Sequence, residues 1–223
     1  MIRNYSVTLE GLTPLLMHWD NIEWADQMEE WKKDPANKAQ SKAGDDRSPA
    51  FRWIGSVYHD GKTVCMASDN LSRCMMEGGT LVPTGSSRGA KTFKAQTQSG
   101  MKVDDMFVPL LVEGKTIPWA PIEALMAKNK FTDHMEAAKT LGFRLFTKRA
   151  PINGRSKHIR VRPRFDSWSL EFTITVWDDG ITEHVLRNIL EYAGNYRGLC
   201  DWRPGSPTPG PYGMFKVTEL AEV

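Results

Sequence analysis

Strict alternation of apolar and polar residues between positions 168 and 176 constrains the fold more than any other feature of the sequence. The apolar positions are Trp168, Leu170, Phe172, Ile174 and Val176. Because successive side chains of a β-strand point to opposite faces of the sheet, this pattern predicts a strand with one buried and one exposed face. Such a strand needs a sheet that is covered on one side, which is typical of antiparallel sheets.

A helix and a second strand follow this strand. The turn sequence DDG comes directly after it, and apolar residues then recur at helical spacing up to Gly194. The chain ends in the strand-like segment MFKVTEL, and it begins with another alternating segment that stops at Gly11 and Pro14. Strand, helix and strand in this order predict an α+β fold, a ferredoxin-like or RRM-like antiparallel sheet with helices on one face.

The length of 223 residues allows one large domain with a buried core. We predict a single RRM-like domain over residues 1–223, with insertions at about 34–50, 80–105 and 147–164. The first insertion is polar and turn-rich, which indicates a mobile loop. The second is rich in Gly, Ser, Thr, Lys and Gln, which indicates an excursion from the core.

Composition and short motifs exclude several classes of protein. Hydrophobic residues make up 40% of the chain and charged residues 25%, as in globular rather than disordered proteins. No apolar run approaches the ~18 residues of a membrane-spanning helix, and the start lacks a signal peptide, so we expect a cytoplasmic protein without a membrane partner. Cys65, Cys74 and Cys200 form no C-x-x-C motif and are expected to be reduced thiols. The histidines lack metal-binding spacing, so neither a metal nor a cofactor is expected.

The segment from residue 143 to residue 165 concentrates positive charge in a chain whose formal net charge is only +2. It holds His158, no acidic residue, and eight cationic side chains: Arg144, Lys148, Arg149, Arg155, Lys157, Arg160, Arg162 and Arg164. The Asn153-Gly154 pair at its centre predicts a hairpin, with the last three arginines on one strand face. Cations arranged in this way favour contacts to nucleic-acid phosphates. A solvated edge ribbon that prevents aggregation is the alternative interpretation.

Two further segments are candidates for phosphate or base contacts. In GSSRGAKTFK, Ala90 stands where a phosphate-binding loop requires glycine, so nucleotide hydrolysis is not predicted. Its basic residues Arg88, Lys91 and Lys94 suit a flexible loop on a nucleic-acid backbone, or a loop without a ligand.

The second segment is the glycine-rich loop, residues 194–213. It contains Arg197, Trp202 and Arg203 among five glycines, which allow a backbone to approach a ligand closely. A purely structural connection stiffened by its four prolines explains the same composition.

Three segments, VTLEGLTPLLMH, VCMASDNLSRCMMEGG and AGNYRGLCDWRPGSPTPGPYGMFKV, together resemble the RAMP superfamily, the RRM-like proteins that include backbone subunits of CRISPR effector complexes. They correspond to a first strand with its turn, a short helix, and a glycine-rich loop before a final strand. The resemblance covers about half of the chain. It implies a subunit that grips a single strand of guide RNA, with the ribbon from Lys148 to Arg164 as a thumb or groove wall and with Arg197, Trp202 and Arg203 near the strand. The catalytic histidine arrangement of RNA-processing members is not found, so cleavage activity is not implied.

The first hypothesis is therefore a non-catalytic protein that binds single-stranded nucleic acid, RNA ahead of DNA, and forms homo-oligomers along the strand, as in a ribonucleoprotein. Replacing Arg160, Arg162 and Arg164 together by Ala is expected to abolish binding and to leave the thermal midpoint nearly unchanged. A nuclease with His18 or His158 as general base is the second hypothesis. A viral structural or adaptor protein with tryptophan-rich interfaces is the third.

Overall fold

The computed structural model describes residues 1–85, 91–152 and 156–223. The chain divides into two compact units, and each unit is assembled from separate segments. The first unit comprises Met1–Leu15, Cys65–Thr116 and Asp166–Val223, and the second comprises Leu16–Val64 and Ile117–Phe165. The assignment of the whole chain to one domain with three insertions stays a prediction.

Strands and helices alternate irregularly along the described residues. The strands are β1 (Arg3–Gly11), β2 (Leu15–Leu16), β3 (Cys65–Ala67), β4 (Met101–Val103), β5 (Phe107–Val112), β6 (Lys115–Thr116), β7 (Arg144–Ile152), β8 (Ser156–Phe165), β9 (Ser169–Val176) and β10 (Phe215–Glu222). The helices are α1 (Ile22–Lys33), α2 (Pro35–Lys38), α3 (Ser68–Gly79), α4 (Lys94–Ser99), α5 (Ala120–Glu123), α6 (Phe131–Thr140) and α7 (Glu183–Tyr192). No helix in the part of the chain that is described is long and apolar enough to span a bilayer.

The first unit contains an antiparallel sheet with the strand order β10-β1-β9-β5-β3. The path β1-α3-β5-β9-α7-β10 is the βαββαβ connectivity of the ferredoxin-like fold, so the predicted α+β class is confirmed. All five apolar side chains of the alternating segment around β9 are buried, as predicted. β4, which lies in the predicted insertion 80–105, pairs with β9 and buries Met101 and Val103, because even this polar segment supplies alternating apolar residues.

Helices α3 and α7 of the first unit approach each other closely at a glycine. A Cβ atom at Gly78 would lie 2.6 Å from the carbonyl oxygen of Ile189 and 2.8 Å from the Cβ atom of Ala193. A side chain at Gly78 would therefore force the two helices apart. Gly78 lies in the last turn of α3, where its lack of a side chain permits this close packing.

The second unit is built around the three-stranded sheet β2-β8-β7 and a buried histidine. His134 of α6 has no exposed surface, and its Nδ1 accepts a hydrogen bond from Nε1 of Trp53 (3.1 Å). Its Nε2 donates to the carbonyl oxygen of Lys128 (2.9 Å), so the ring is neutral. Burial lowers the pKa of His134 below its ordinary value, which gives this histidine a structural role.

Candidate nucleic-acid interface

The hairpin formed by β7 and β8 carries cations on one face in a fixed register. Arg144 lies opposite Arg164, and Lys148 lies opposite Arg160. Strand alternation places Arg162 on the same face, between the two arginines of β8. We call this surface the cationic face, and its members are Arg144, Lys148, His158, Arg160, Arg162 and Arg164.

The opposite face of the hairpin is mostly apolar, and it fixes the orientation of the cationic face. Leu145 lies opposite Pro163 on this side, and Val161 belongs to it as well. All three side chains are buried, whereas Arg149, further along the same side, is exposed. Burial of the apolar side therefore determines which way the cations point.

Members of the cationic face differ in exposure. Arg144, Lys148 and Arg160 are exposed, and Arg164 is half-buried. Arg162 retains only 9% of its surface. Alternation correctly predicts that the three arginines of β8 share a face, but it does not distinguish the buried one from its neighbours.

The buried carboxylate of Asp46 lies against this face. The side chain of Asp46 is 7% exposed, and Nε2 of His158 donates a hydrogen bond to its Oδ1 atom (2.8 Å). Three arginine nitrogens surround the same carboxylate: Arg52 Nε at 3.5 Å, Arg160 Nη1 at 3.8 Å and Arg162 Nη1 at 3.8 Å. One acid thus contacts three guanidinium groups and an imidazole, and Asp46 and these three arginines together carry a net charge of +2.

Backbone hydrogen bonds hold Asp46 in place. The N–H of Ile159 donates to the carbonyl oxygen of Gly44 (2.8 Å), and the N–H of Asp46 donates to the carbonyl oxygen of Ile159 (2.9 Å). Asp45 is held by Nε and Nη2 of Arg47 at 2.9 and 2.7 Å, and these hydrogen bonds lower the pKa of Asp45. Sequence analysis expected a mobile loop here, whereas residues 44–46 are joined to the edge of β8.

No local sequence pattern points to Asp46 as a site residue. Asp46 and His158 are 112 positions apart in the sequence, so no local pattern links them. The one available signal was the absence of any acid from residues 143–165, because a partly buried cationic cluster needs a counter-charge from elsewhere in the chain.

A pocket of about 300 Å³ opens beside Arg160 and Arg162 in the second unit. One side of α1, from Trp24 to Lys32, forms one wall of this pocket, and the 3₁₀ helix Arg52–Ser56 forms another. Asp46 and Trp19 also line the pocket. The pocket therefore combines guanidinium groups with an aromatic ring, a combination that sequence analysis did not predict.

Of the other residues predicted for the hairpin, some lie within the described residues and some lie outside them. Lys157 is exposed on β8. Arg155 and the Asn153-Gly154 turn lie outside the described residues. The antiparallel pairing of β7 with β8 on either side of that turn agrees with the predicted hairpin.

The glycine-rich loop belongs to the first unit, and its cations contact that unit's own residues. Nη1 and Nη2 of Arg203 donate to the two carboxylate oxygens of Glu77 at 2.8 and 3.1 Å, and both side chains are largely buried. Nη2 of Arg197 lies 3.4 Å from the hydroxyl oxygen of Thr80. The ring of Trp202 lies 5.4 Å from that of Tyr212 within the loop. These contacts agree with the structural interpretation of the loop.

Lys91 and Lys94 also belong to the first unit, and both are exposed. Lys94 is the first residue of α4. Arg88, the third predicted cation of this segment, lies outside the described residues.

The two histidines of the nuclease hypothesis have different surroundings. His18 is exposed, and its carbonyl oxygen accepts a hydrogen bond from the hydroxyl of Tyr58 (3.3 Å). His158 is bound to Asp46 as described above. Within residues 1–85, 91–152 and 156–223, no three His, Cys, Asp or Glu side chains are grouped so that they could hold a metal ion.

Comparison with known proteins adds no assignment to this geometry. Neither a protein-family model nor a curated protein matches the chain.

Proposed function

We propose that the chain binds single-stranded nucleic acid, RNA ahead of DNA, and that the cationic face of β7 and β8 makes the phosphate contacts without catalysing a reaction. The observation that carries this proposal is the row of cations on one face of the hairpin, with Arg144 opposite Arg164 and Lys148 opposite Arg160. A polyanion lying across this face would meet several cations at once, and its phosphates would release counterions.

The arrangement of arginines around Asp46 distinguishes this surface from a solvated edge ribbon that only prevents aggregation. A ribbon that only resists aggregation needs exposed charges, but it has no use for a buried arginine. Arg162 is buried against the same carboxylate that attracts Arg52 and Arg160. One carboxylate that holds several arginines in position leaves part of their positive charge for an anionic ligand.

The ferredoxin-like connectivity of the first unit supports the resemblance to the RAMP superfamily, because that family is RRM-like. On this basis we extend the proposal to a subunit of a ribonucleoprotein whose copies assemble along the strand. Single-stranded RNA is preferred over DNA in this proposal because the resemblance is to RNA-guided assemblies.

The experiment is fluorescence anisotropy with a labelled single strand of about 30 nucleotides, prepared as RNA and as DNA, at about 50 and 200 mM salt. The test variant is Arg144→Gln/Lys148→Gln. The control is Lys128→Gln/Lys130→Gln, which removes two exposed charges from the same unit but not from the hairpin.

We expect the test variant to weaken RNA binding at least about tenfold, as for the loss of one or two charge-assisted contacts, and the control to change it much less. Equal losses in both variants would show that net charge alone determines binding. No binding of either strand would overturn the proposal, and shortening of the RNA during incubation would support the nuclease hypothesis in its place.

The variant with Arg160, Arg162 and Arg164 all replaced by Ala is unsuitable as this test. Removing Arg162 leaves Asp46 buried with less compensating charge, which destabilises a protein. We therefore expect a lower thermal midpoint for this triple variant, contrary to the expectation from the sequence, and a loss of binding would not separate contact from folding.

A further inference from the structure

The pocket beside Arg160 and Arg162 has the charge expected for a phosphate monoester. Three arginines and one aspartate leave the cluster with a net charge of +2. A phosphate monoester carries about −1.5 to −2 at pH 7, whereas a phosphodiester carries a single negative charge. A terminal phosphate therefore matches the cluster better than an internal phosphate of a strand does.

The three arginines lie at different depths in the pocket, which supports binding of a terminal phosphate. Side-chain exposure rises from 11% for Arg162 to 31% for Arg52 and 44% for Arg160, so the cations extend from the floor of the pocket to its mouth. The other charged residues that line the pocket, Asp20, Glu29 and Lys32, are all exposed. Together these three residues add one negative charge, and solvent and salt screen it more than they screen the charge of the buried Arg162.

The guanidinium N–H groups of Arg160 are available to a ligand in the pocket. The separation of 3.8 Å between Nη1 of Arg160 and Asp46 is too long for a hydrogen bond. Within the described ranges Arg160 makes no side-chain hydrogen bond. An anion can therefore take the donors of Arg160 without breaking a bond that holds the fold.

Aromatic rings supply a surface for a base. Trp19 lines the pocket and stacks on Tyr58, with ring centroids 5.3 Å apart and planes inclined by 20°. Trp24 also lines the pocket, and its indole N–H is buried with no hydrogen-bond partner among the described residues. This N–H lies against Gly55, where a Cβ atom would come within 2.3 Å of Nε1, so Trp24 forms part of the pocket wall and does not offer a donor to a ligand.

From these observations we infer that the pocket binds one nucleotide with a phosphate monoester, its phosphate on Arg52, Arg160 and Arg162 and its base against Trp19. The volume of about 300 Å³ lies at the lower end of the range for ligand pockets, about 300 to 1,000 Å³, and suits one nucleotide rather than a longer segment. The phosphorylated end of a strand and a free nucleotide share this chemistry. For the phosphorylated end of a strand, this inference rests on the proposed function.

The test compares three RNAs of one sequence, with a 5′-phosphate, with a 3′-phosphate and with hydroxyl groups at both ends. Adenosine 5′-monophosphate, adenosine and inorganic phosphate are titrated separately and followed by tryptophan fluorescence. The variants are Arg52→Gln and Arg160→Gln. Lys148→Gln is the matched control, because Lys148 lies opposite Arg160 on the cationic face but does not line the pocket.

We expect either the 5′-phosphorylated or the 3′-phosphorylated RNA to bind about tenfold more tightly, or better, than the RNA with hydroxyl ends. The reason is that its terminal phosphate adds one charge-assisted contact. Arg52→Gln and Arg160→Gln should remove this preference, whereas Lys148→Gln should weaken all RNAs equally and keep the preference. Adenosine monophosphate should bind more tightly than phosphate or adenosine. Thermal melting of each variant checks that it is folded.

The two proposals can fail separately. Tight binding of all three RNAs without a phosphate preference would overturn the pocket inference and leave strand binding by the cationic face in place. Binding of adenosine monophosphate that depends on Arg160, with no binding of RNA, would assign the pocket to a free nucleotide and contradict the proposed function. Absence of both kinds of binding would overturn both proposals.

Discussion

The glycine-rich loop of the first unit and the cationic face of the second unit each place arginines around one carboxylate, but the carboxylates are bound differently. In the first unit, Arg203 donates two hydrogen bonds to Glu77, and the exposed Arg73 donates another at 3.2 Å. At the cationic face, three arginine nitrogens lie 3.5 to 3.8 Å from Asp46, and Arg160 makes no side-chain hydrogen bond within the described residues. An arginine whose donors are taken by a carboxylate stabilises the structure and leaves little for a ligand. An arginine that lies near a carboxylate without a hydrogen bond keeps its donors for an anion, so hydrogen bonding to the acid separates structural arginines from binding arginines.

The strongest way to test this comparison is to break the two-pronged ion pair of Arg203 with Glu77 by Glu77→Gln. Removing one partner of a largely buried ion pair leaves the other charge uncompensated, so we expect a loss of about 3 kcal/mol in the free energy of unfolding, the lower end for buried pairs. Urea unfolding measures this loss. RNA affinity of the folded variant should stay within about twofold of the wild type, and a larger change would place the loop in the binding surface.

The corresponding change on the cationic face is Asp46→Asn. We expect a loss of about 1 to 3 kcal/mol, because the amide keeps a hydrogen-bond acceptor but not the charge that attracts three arginines. Anisotropy at about 50 mM salt should show RNA binding that is as tight as in the wild type or tighter, since the face gains positive charge. Weaker binding by folded Asp46→Asn would mean that Asp46 organises the site in a way that charge excess does not explain.

Acid should destabilise the second unit through its buried histidine. Burial lowers the pKa of His134, so as the pH falls below about 6.5 the unfolded chain takes up a proton before the folded one does. Stability is complete above that pH and is lost below it, by at most about 1.4 kcal/mol per pH unit for one histidine. Thermal melts between pH 7.5 and 5.5 measure the loss.

The matched variant is His134→Gln, whose amide can accept from Trp53 and donate to Lys128. This variant should melt with a smaller dependence on pH than the wild type. His59, whose pKa burial also lowers, contributes to the dependence that stays. An unchanged pH dependence in the variant would contradict the role of His134.

Much of the fold follows from local patterns in the sequence. The alternation around β9 and the helical spacing of α7 each depend on residues that are close in sequence, so both elements are predicted correctly. The predicted α+β class rests on the order of these elements. Division of the chain into two units depends on contacts between distant segments, such as Leu16–Val64 with Ile117–Phe165, and no local pattern encodes them.

The candidate site is less predictable for the same reason. Alternation places Arg160, Arg162 and Arg164 on one face, but the burial of Arg162 alone depends on what covers the strand. Asp46 comes from a loop far away in the sequence, and its position is set by hydrogen bonds to Ile159. The sequence therefore identifies the cations of the site, and only the tertiary structure identifies their counter-charge.

The salt dependence of RNA binding tests the central claim most directly. For a single strand, the slope of log affinity against log salt concentration is about −0.7 for each phosphate that is neutralised. We predict that Arg144→Gln/Lys148→Gln reduces the magnitude of this slope by about 1.4 relative to the wild type, whereas Lys128→Gln/Lys130→Gln leaves it unchanged. Identical slopes for the wild type and for both variants would contradict phosphate binding by the cationic face.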